Sequence, residues 1–255
     1  MMELIAQLPN FLQEWQQTLQ WQPDAEQQRL LQQLYEGILQ GNQQVNLTRI
    51  TDPHEFWEKH LWDSLYGVMP WLSEHTATSL AEYLPQVQSV IDIGTGGGFP
   101  GLPVAIALPP WQLTCLDSTR KKIAFLATLS QALGLSRVQT LADRAEVVGH
   151  HPSHREAYDL ALIRAVGPAT ACAEYAMPLV KVNGMVVLYR GQWTAEEEKA
   201  LKKSVSKLGG GQVWVQSATT PLSHSARHCI YIYKAGPTAE AFPRAPGVPT
   251  KQPLA

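Results

Sequence analysis

The chain has no apolar run of membrane-spanning length, and its glutamine-rich start lacks the apolar core of a secretory leader. A cytoplasmic protein without a membrane partner is therefore expected. Cysteine is scarce. Cys115, Cys172 and Cys229 are odd in number, widely spaced and mostly within apolar runs. They fit neither a zinc nor a disulfide pattern and read as buried thiols in a reducing compartment. Positive charge is not in excess either: 20 Lys and Arg against 22 Asp and Glu leave a net charge of −2. That balance excludes a polycation that coats nucleic acid indiscriminately, but it leaves room for a local basic face. His150, His151 and His154 lie in a proline-containing loop with no acid or cysteine at ligand spacing, so no metal is expected. Internal repeats are absent.

Glycine, in contrast, is concentrated in one place. The run Val90-Ile91-Asp92-Ile93 reads as a buried strand ending beside an acid, and Gly94-Thr95-Gly96-Gly97-Gly98-Phe99-Pro100-Gly101 follows it as a turn. Glycines let the backbone take positive φ and let a ligand approach closely. A helix is predicted to start at Pro100, whose fixed φ suits a first helical position, and the free amides there can bind a polar ligand. Asp117 lies 23 residues after Gly94, at the end of the next apolar run, where an acid can accept hydrogen bonds from ribose hydroxyls. These features point to a nucleoside-containing cofactor. Gly96, Gly98 and Gly101 also fit the dinucleotide spacing G-x-G-x-x-G. Asp92, however, would repel a pyrophosphate, whereas it suits the ammonium of an amino-acid moiety. The pattern Asp-x-Gly-x-Gly-x-Gly therefore looks like the S-adenosylmethionine loop of Rossmann-like methyltransferases.

The 255 residues suffice for one α/β domain with an extension. Residues 1–75 read as an N-terminal helical extension. Leu30, Leu31, Leu34 and Ile38 make one apolar face, and a second helix is expected from Pro53 to Tyr66. Asp52 and Glu55 have capping-box spacing at its start. Residues 76–235 alternate strand and helix, with strands near 88–93, 111–117, 137–142, 158–164, 184–190, 212–217 and 227–234, and helices near 100–108, 119–134, 168–181 and 194–208. That order predicts a mostly parallel seven-stranded sheet with helices on both faces. The last two strands have no helix between them, which requires an antiparallel hairpin. This is the class I methyltransferase arrangement. Asp92, Asp117, Asp143 and Arg164 fall at predicted strand ends, where such sheets bind ligands. Residues 236–255 are rich in proline and alanine and read as a disordered tail.

The segments Asn46-Leu47-Thr48, His60-Leu61-Trp62-Asp63-Ser64, Asp92 to Gly101, Leu116-Asp117-Ser118 and Arg164-Ala165 occur in an order and spacing that resemble the ribosomal RNA small subunit methyltransferase G family, also called glucose-inhibited division protein B. The resemblance covers residues 25 to 234, and Asp117-Ser118-Thr119 looks like the form in its cyanobacterial members. It implies transfer of a methyl group from S-adenosylmethionine to N7 of a guanine in small-subunit (16S) ribosomal RNA. It also implies that Gly94 and Phe99 border the methionine and ribose, that Asp117, Ser118 and Thr119 hold the adenosine, and that Ala145 and Glu146 flank the adenine. Asp92 and Gly96 of the glycine loop, and Arg164, are expected cofactor contacts with them. Arg164 would stand where cofactor meets substrate. Where the family often has Lys-Gly-Gln after the fifth strand, this chain has Arg190-Gly191-Gln192, which keeps the charge but changes its geometry.

Guanine N7 is a lone-pair acceptor with no proton to remove, so positioning and electrostatics should dominate and no proton-transferring triad is expected. Arg164 could hold the cofactor loop, contact RNA phosphate, or pair with Asp143 or Glu146. His60, Asp63 and Ser64 either line the RNA entrance or join the N-terminal helices to the sheet. Arg120 and Lys121 either meet phosphate or form a solvated first turn. Arg49, Lys59, His60, Arg120, Lys121, Arg164 and Arg190 are expected near one rim that meets small-subunit ribosomal RNA or the small subunit, with the protein a monomer. Two other classes compete: a NAD-linked oxidoreductase, and a non-catalytic RNA-binding protein of ribosome assembly.

Overall fold

The structure, a computed structural model, describes residues 6–72 and 79–254. The expected boundary at 75/76 lies outside the described residues. In chain order the elements begin with α1 (Leu12–Leu19) and α2 (Ala25–Asn42). A continuous rod follows: α3 (Pro53–Phe56), a π-helical stretch at Trp57–Trp62, and α4 (Asp63–Tyr66). Then come α5 (Met69–Leu72), β1 (Ser89–Ile93), α6 (Gly101–Ala107), β2 (Gln112–Asp117), α7 (Arg120–Ala132) and β3 (Val138–Ala142). The chain continues with α8 (Ala145–Val148), β4 (Tyr158–Arg164), α9 (Ala169–Ala176), β5 (Val180–Arg190), α10 (Ala195–Lys207), β6 (Gly210–Thr219), β7 (Ala226–Lys234) and α11 (Val248–Lys251).

The seven strands order as β3-β2-β1-β4-β5-β7-β6. All pairs are parallel except β5 with β7 and β6 with β7. Side chains alternate between the two faces of a strand, and two cores result. Val90, Leu160, Leu162, Met185, Val187 and Tyr231 join one core with Trp15, Leu34, Trp57 and Leu126. Ile91, Ala161, Ile163, Val186 and Leu188 join the other with Ala173 and Leu201. The N-terminal helices are therefore a structural layer over one sheet face. Trp57, Trp62 and Phe56 are each at most 2% exposed there, and a buried side chain of this size stabilises the fold by roughly 1.5–3 kcal/mol.

Two local expectations change. Asp52 accepts from His54 N and Glu55 N at 2.9 and 3.0 Å, but Glu55 bonds Lys59 instead of completing a capping box. The first helix after the glycines begins at Gly101, with Pro100 preceding it. A larger correction concerns residues 236–254, expected to be disordered. Arg155 donates to the carbonyls of Thr238, Ala239 and Phe242, and Arg244 forks onto Glu174, which is fully buried. Phe242 and Leu254 pack on the second core. The anchors are charged side chains elsewhere in the chain, which the tail's own composition does not reveal.

Candidate active site

Asp92, next to last in β1, organises the glycine loop. Its Oδ2 accepts from Thr95 Oγ1 at 2.6 Å and from Gly101 N at 2.9 Å. A Cβ at residue 101 would lie 2.8 Å from that oxygen and 3.2 Å from Cys115 Sγ, so only glycine lets the helix start this close. Burial pushes the Asp92 carboxyl up to about 6, against the pull of its two hydrogen bonds. Its Oδ1 has no partner among the described residues. Gly94, at φ +69°, donates to Leu116 O at 2.8 Å and ties the loop to the end of β2. Asp117 then reaches back: Oδ2 accepts from Gly96 N at 3.0 Å, and Oδ1 from Thr119 N at 2.7 Å.

A cleft of about 290 Å³ opens at these strand ends. Among the expected cofactor residues, Gly94, Asp117, Ser118, Ala145 and Glu146 line it, with Asp143 beside them. Asp92, Gly96 and Thr119 shape its loops from outside the lining. The cradle fits a nucleoside with an amino-acid arm: it has left-handed glycines, ribose-competent acids and an orphaned buried carboxylate oxygen.

A second cleft, of about 540 Å³, lies across Ala165. Lys59, His60, Asp63, Arg164, Tyr189, Arg190, Gln192 and Arg227 are among its walls. Arg164 points to the N-terminal layer because it shares strand parity with Leu160 and Leu162. It therefore pairs with neither Asp143 nor Glu146. Its Nη1 donates to Asp63 Oδ2 and to Lys59 O, each at 2.8 Å. Arg227 Nε takes the other oxygen of Asp63 at 2.9 Å. The π-helical stretch ends where Asp63 N bonds Glu58 O, and this wider winding presents Lys59, His60 and Asp63 to the sheet.

Phe99 also lies outside the first cleft. It stacks on His60 at 4.2 Å, with Arg164 Cζ 5.8 Å from its ring centre, and so links the glycine loop to the basic cleft. Burial, reinforced by Arg164, drives His60 down to about 3. The neutral ring accepts from Arg164 Nη2 at Nδ1, 3.3 Å away, since guanidinium only donates. Its Nε2–H then donates to Thr48 Oγ1 at 2.7 Å. Arg190 donates to Gly167 O at 2.8 Å and approaches Glu197 at 3.3 Å. Ala165, at φ +57°, lines both clefts and is their shared wall.

Three expected basic residues fall outside this gathering. Arg120 and Lys121 are exposed in the first turn of α7 and line neither cleft; β1 separates β2 from β4, which keeps them away from the basic cleft. Arg49 is exposed beside Ile50, which does line the basic cleft. Sequence reasoning missed Arg227, Tyr189 and Tyr175. The antiparallel hairpin held the signal for Arg227: it sets the start of β7 beside the end of β5, with Arg190 opposite His228. Arg227 shares parity with Cys229 and Tyr231 and so faces the same layer as Arg164. The histidines 150 and 154 bond Pro243 O and Tyr158 OH, and no group of three potential metal ligands occurs among the described residues.

The strand order, the reversed β7 and a glycine-loop cleft at the carboxyl ends define a class I S-adenosylmethionine-dependent methyltransferase fold. Two solved structures agree on the fold. They are cofactor-bound Rv0187 from MTB (TM-score 0.51, 15% identity, 84% of this chain and 91% of that one) and the CMeT domain of the citrinin polyketide synthase (TM-score 0.53, 13% identity, 84% and 66%). The family model of GidB, rRNA small subunit methyltransferase G, matches residues 27–229. The ribosomal RNA small subunit methyltransferase G of Trichormus variabilis is 56% identical over 247 residues, 97% of this chain and 98% of the relative. That of Synechococcus elongatus is 54% identical over 240 residues, 94% and 95%. The chain belongs to the rRNA small subunit methyltransferase G family. No helix among the described residues is long and apolar enough to cross a membrane.

Proposed function

We propose that this protein methylates N7 of a guanine in 16S ribosomal RNA, with the S-adenosyl nucleoside in the glycine-loop cleft and the RNA in the basic cleft. The observation that carries the assignment of the two clefts is their meeting at Ala165. One side offers carboxylates and backbone to a nucleoside, and the other offers arginines to phosphate. Bound S-adenosylmethionine supplies an electrophilic methyl on sulfur. Gly94, Asp117, Ser118, Ala145 and Glu146 hold its nucleoside, while Asp92, Gly96, Phe99 and Thr119 keep the loop in shape.

The protein has no proton to move, because guanine N7 attacks with a lone pair. Its task is to orient the base and to hold charge in place. Arg164 positions the substrate at the shared wall. His60, kept neutral, and Phe99 form an aromatic support behind it. Lys59, Arg190 and Arg227 meet backbone phosphate. The protein acts in the cytoplasm as a monomer on ribosomal RNA or the small subunit.

Transfer of a radiolabelled methyl group to naked 16S RNA and to small subunits, with the product mapped by base and atom, tests this reading. Label at guanine N7 is expected. Label on another atom, or none on either substrate, overturns it. Thermal stabilisation by S-adenosylhomocysteine and not by NAD separates the reading from an oxidoreductase.

A further inference from the structure

The matched family region ends at residue 229, yet residues beyond it touch the cofactor cleft from behind. Glu146 and Tyr175 line that cleft and are only 5% and 6% exposed. Gly247 N donates to Glu146 Oε1 at 2.8 Å. Thr250 Oγ1 and Tyr175 OH share a hydrogen bond of 2.7 Å. Two lining side chains, one on α8 and one on α9, thus take their polar partners from a single short segment of the tail.

That segment is itself tied down. Glu174, adjacent to Tyr175, has no exposed surface and accepts from Arg244 N and Nε at 2.8 Å and from Arg244 Nη2 at 2.6 Å. The same Nη2 donates to Gln252 O at 2.8 Å, which closes the segment on itself. His150 Nε2 lies 2.7 Å from Pro243 O, and Ser204 Oγ donates to Leu254 O at 2.8 Å. At Gly149, which follows α8, a Cβ would lie 2.8 Å from Pro243. The tail is therefore seated tightly on the two helices that present Glu146 and Tyr175.

We propose that residues 242–252 form a fixed strap that sets the positions of Glu146 and Tyr175, so that the tail tunes how tightly the purine nucleoside of the cofactor is held. Gly247 and Thr250 are positioning residues, since they act through the two lining side chains and do not line the cleft. The inference rests on the cofactor reading of that cleft. Both lining residues stand with Asp117 and Ser118, the ribose-side acceptors, and Asp92 lies outside that lining. The strap should accordingly act on the nucleoside end and not on the amino-acid arm.

The test uses the full chain and calorimetric binding of two probes, S-adenosylhomocysteine and 5′-methylthioadenosine, which lacks the amino-acid arm. Thr250→Val removes one hydroxyl and should weaken both probes about fivefold, the scale of one net hydrogen bond. Thr250→Ser should restore them. Arg244→Gln, which loosens the strap from Glu174, should weaken both by more than Thr250→Val does. The KM for RNA should stay at its wild-type value, and binding is normalised to the folded fraction, so that lost stability alone cannot produce the pattern. Unchanged affinity for both probes in Thr250→Val and Arg244→Gln overturns the strap. So does weakening of S-adenosylhomocysteine with 5′-methylthioadenosine unaffected. Wild-type protein that binds neither probe overturns the cofactor reading itself, and the strap with it.

Discussion

The two clefts share Ala165 as a wall, yet they are assembled from different reaches of the chain. The nucleoside cleft is built from the loops that follow β1, β2, β3 and β4, and its hydrogen bonds run largely to backbone amides. The basic cleft joins the rod at 53–66 to the ends of β4 and β5 and the start of β7, and side-chain ion pairs hold it together. Backbone cradles arise from local turns and so follow short motifs. Ion-pair clefts depend on which elements pack side by side. The first should respond to each lost partner singly, as Thr250→Val and Arg244→Gln test. The second should respond as a network, because Asp63 is clamped between Arg164 and Arg227.

The largest effect is expected at the junction. Arg164→Ala should lower single-turnover methylation about 10²-fold or more, as loss of a positioned charge does. Affinity for S-adenosylhomocysteine should stay within about twofold, since Arg164 lies outside the nucleoside cleft. Arg164→Lys should recover only part of the rate, because a single ammonium lacks the second nitrogen, Nη2, with which Arg164 reaches His60 Nδ1 while Nη1 holds Lys59 O and Asp63. Melting temperature measured on the same preparation decides the matter. A destabilised but fully active variant would reduce the ion pair with Asp63 to a structural strut.

The converse change belongs to the other cleft. Asp117→Ala should weaken cofactor binding by roughly 1–3 kcal/mol, the cost of charged hydrogen bonds. Part of that cost is indirect, because Asp117 also holds Gly96 N and Thr119 N. RNA affinity should be unaltered. Calorimetry with unchanged cofactor affinity would remove Asp117 from the site.

A smaller effect separates the basic cleft from other positive surface. Replacing Lys59 and Arg190 with glutamine should flatten the slope of log affinity against log salt by about 0.7–0.9 for each phosphate that goes unneutralised. Replacing Arg120 and Lys121 should leave the slope unchanged, because they line neither cleft. The opposite ranking would move the RNA to the α7 side.

The smallest effect is proton linkage, and its sign differs between the clefts. His60 falls from 6.5 to about 3 on folding, so its contribution to stability is present above 6.5 and is lost as pH falls toward 3. Asp92 rises from 3.8 to about 6, so its contribution is present below 3.8 and is lost as pH rises through 6. Relative to wild type, His60→Gln should therefore gain in melting temperature as pH drops from 7 to 5. Asp92→Asn should gain as pH climbs from 4 to 6. Parallel pH profiles for both variants and wild type would contradict these assignments.

The strands are legible in the sequence because alternation, short apolar runs and turn residues agree with one another along each segment. The glycine loop is legible because a carboxylate, left-handed glycines and a second acid must recur at short spacing to cradle one ligand. The tail is not legible. Composition reflects what a segment can bury of its own, whereas this one is held by Arg155, Glu174 and Glu146, partners 70 or more residues away. For Arg164, chain order indicates the right strand end, but among the alternatives it leaves open the pairing with Asp143 or Glu146 is not the one formed. Both Asp143 and Glu146 are near it in chain order, while Asp63, 101 residues distant, shares its face of the sheet.

Local chemistry in the sequence thus determined the strand order's class, the reversed final hairpin and the glycine loop, since each depends on contacts within a turn or between consecutive segments. Only the tertiary structure decided that Arg164, Asp63 and Arg227 form one network, that Phe99 stacks on His60, and that Gly247 of the tail bonds Glu146. Those pairings follow from strand parity and from the packing of the N-terminal helices over one sheet face. No spacing along a single chain encodes which distant face will meet which.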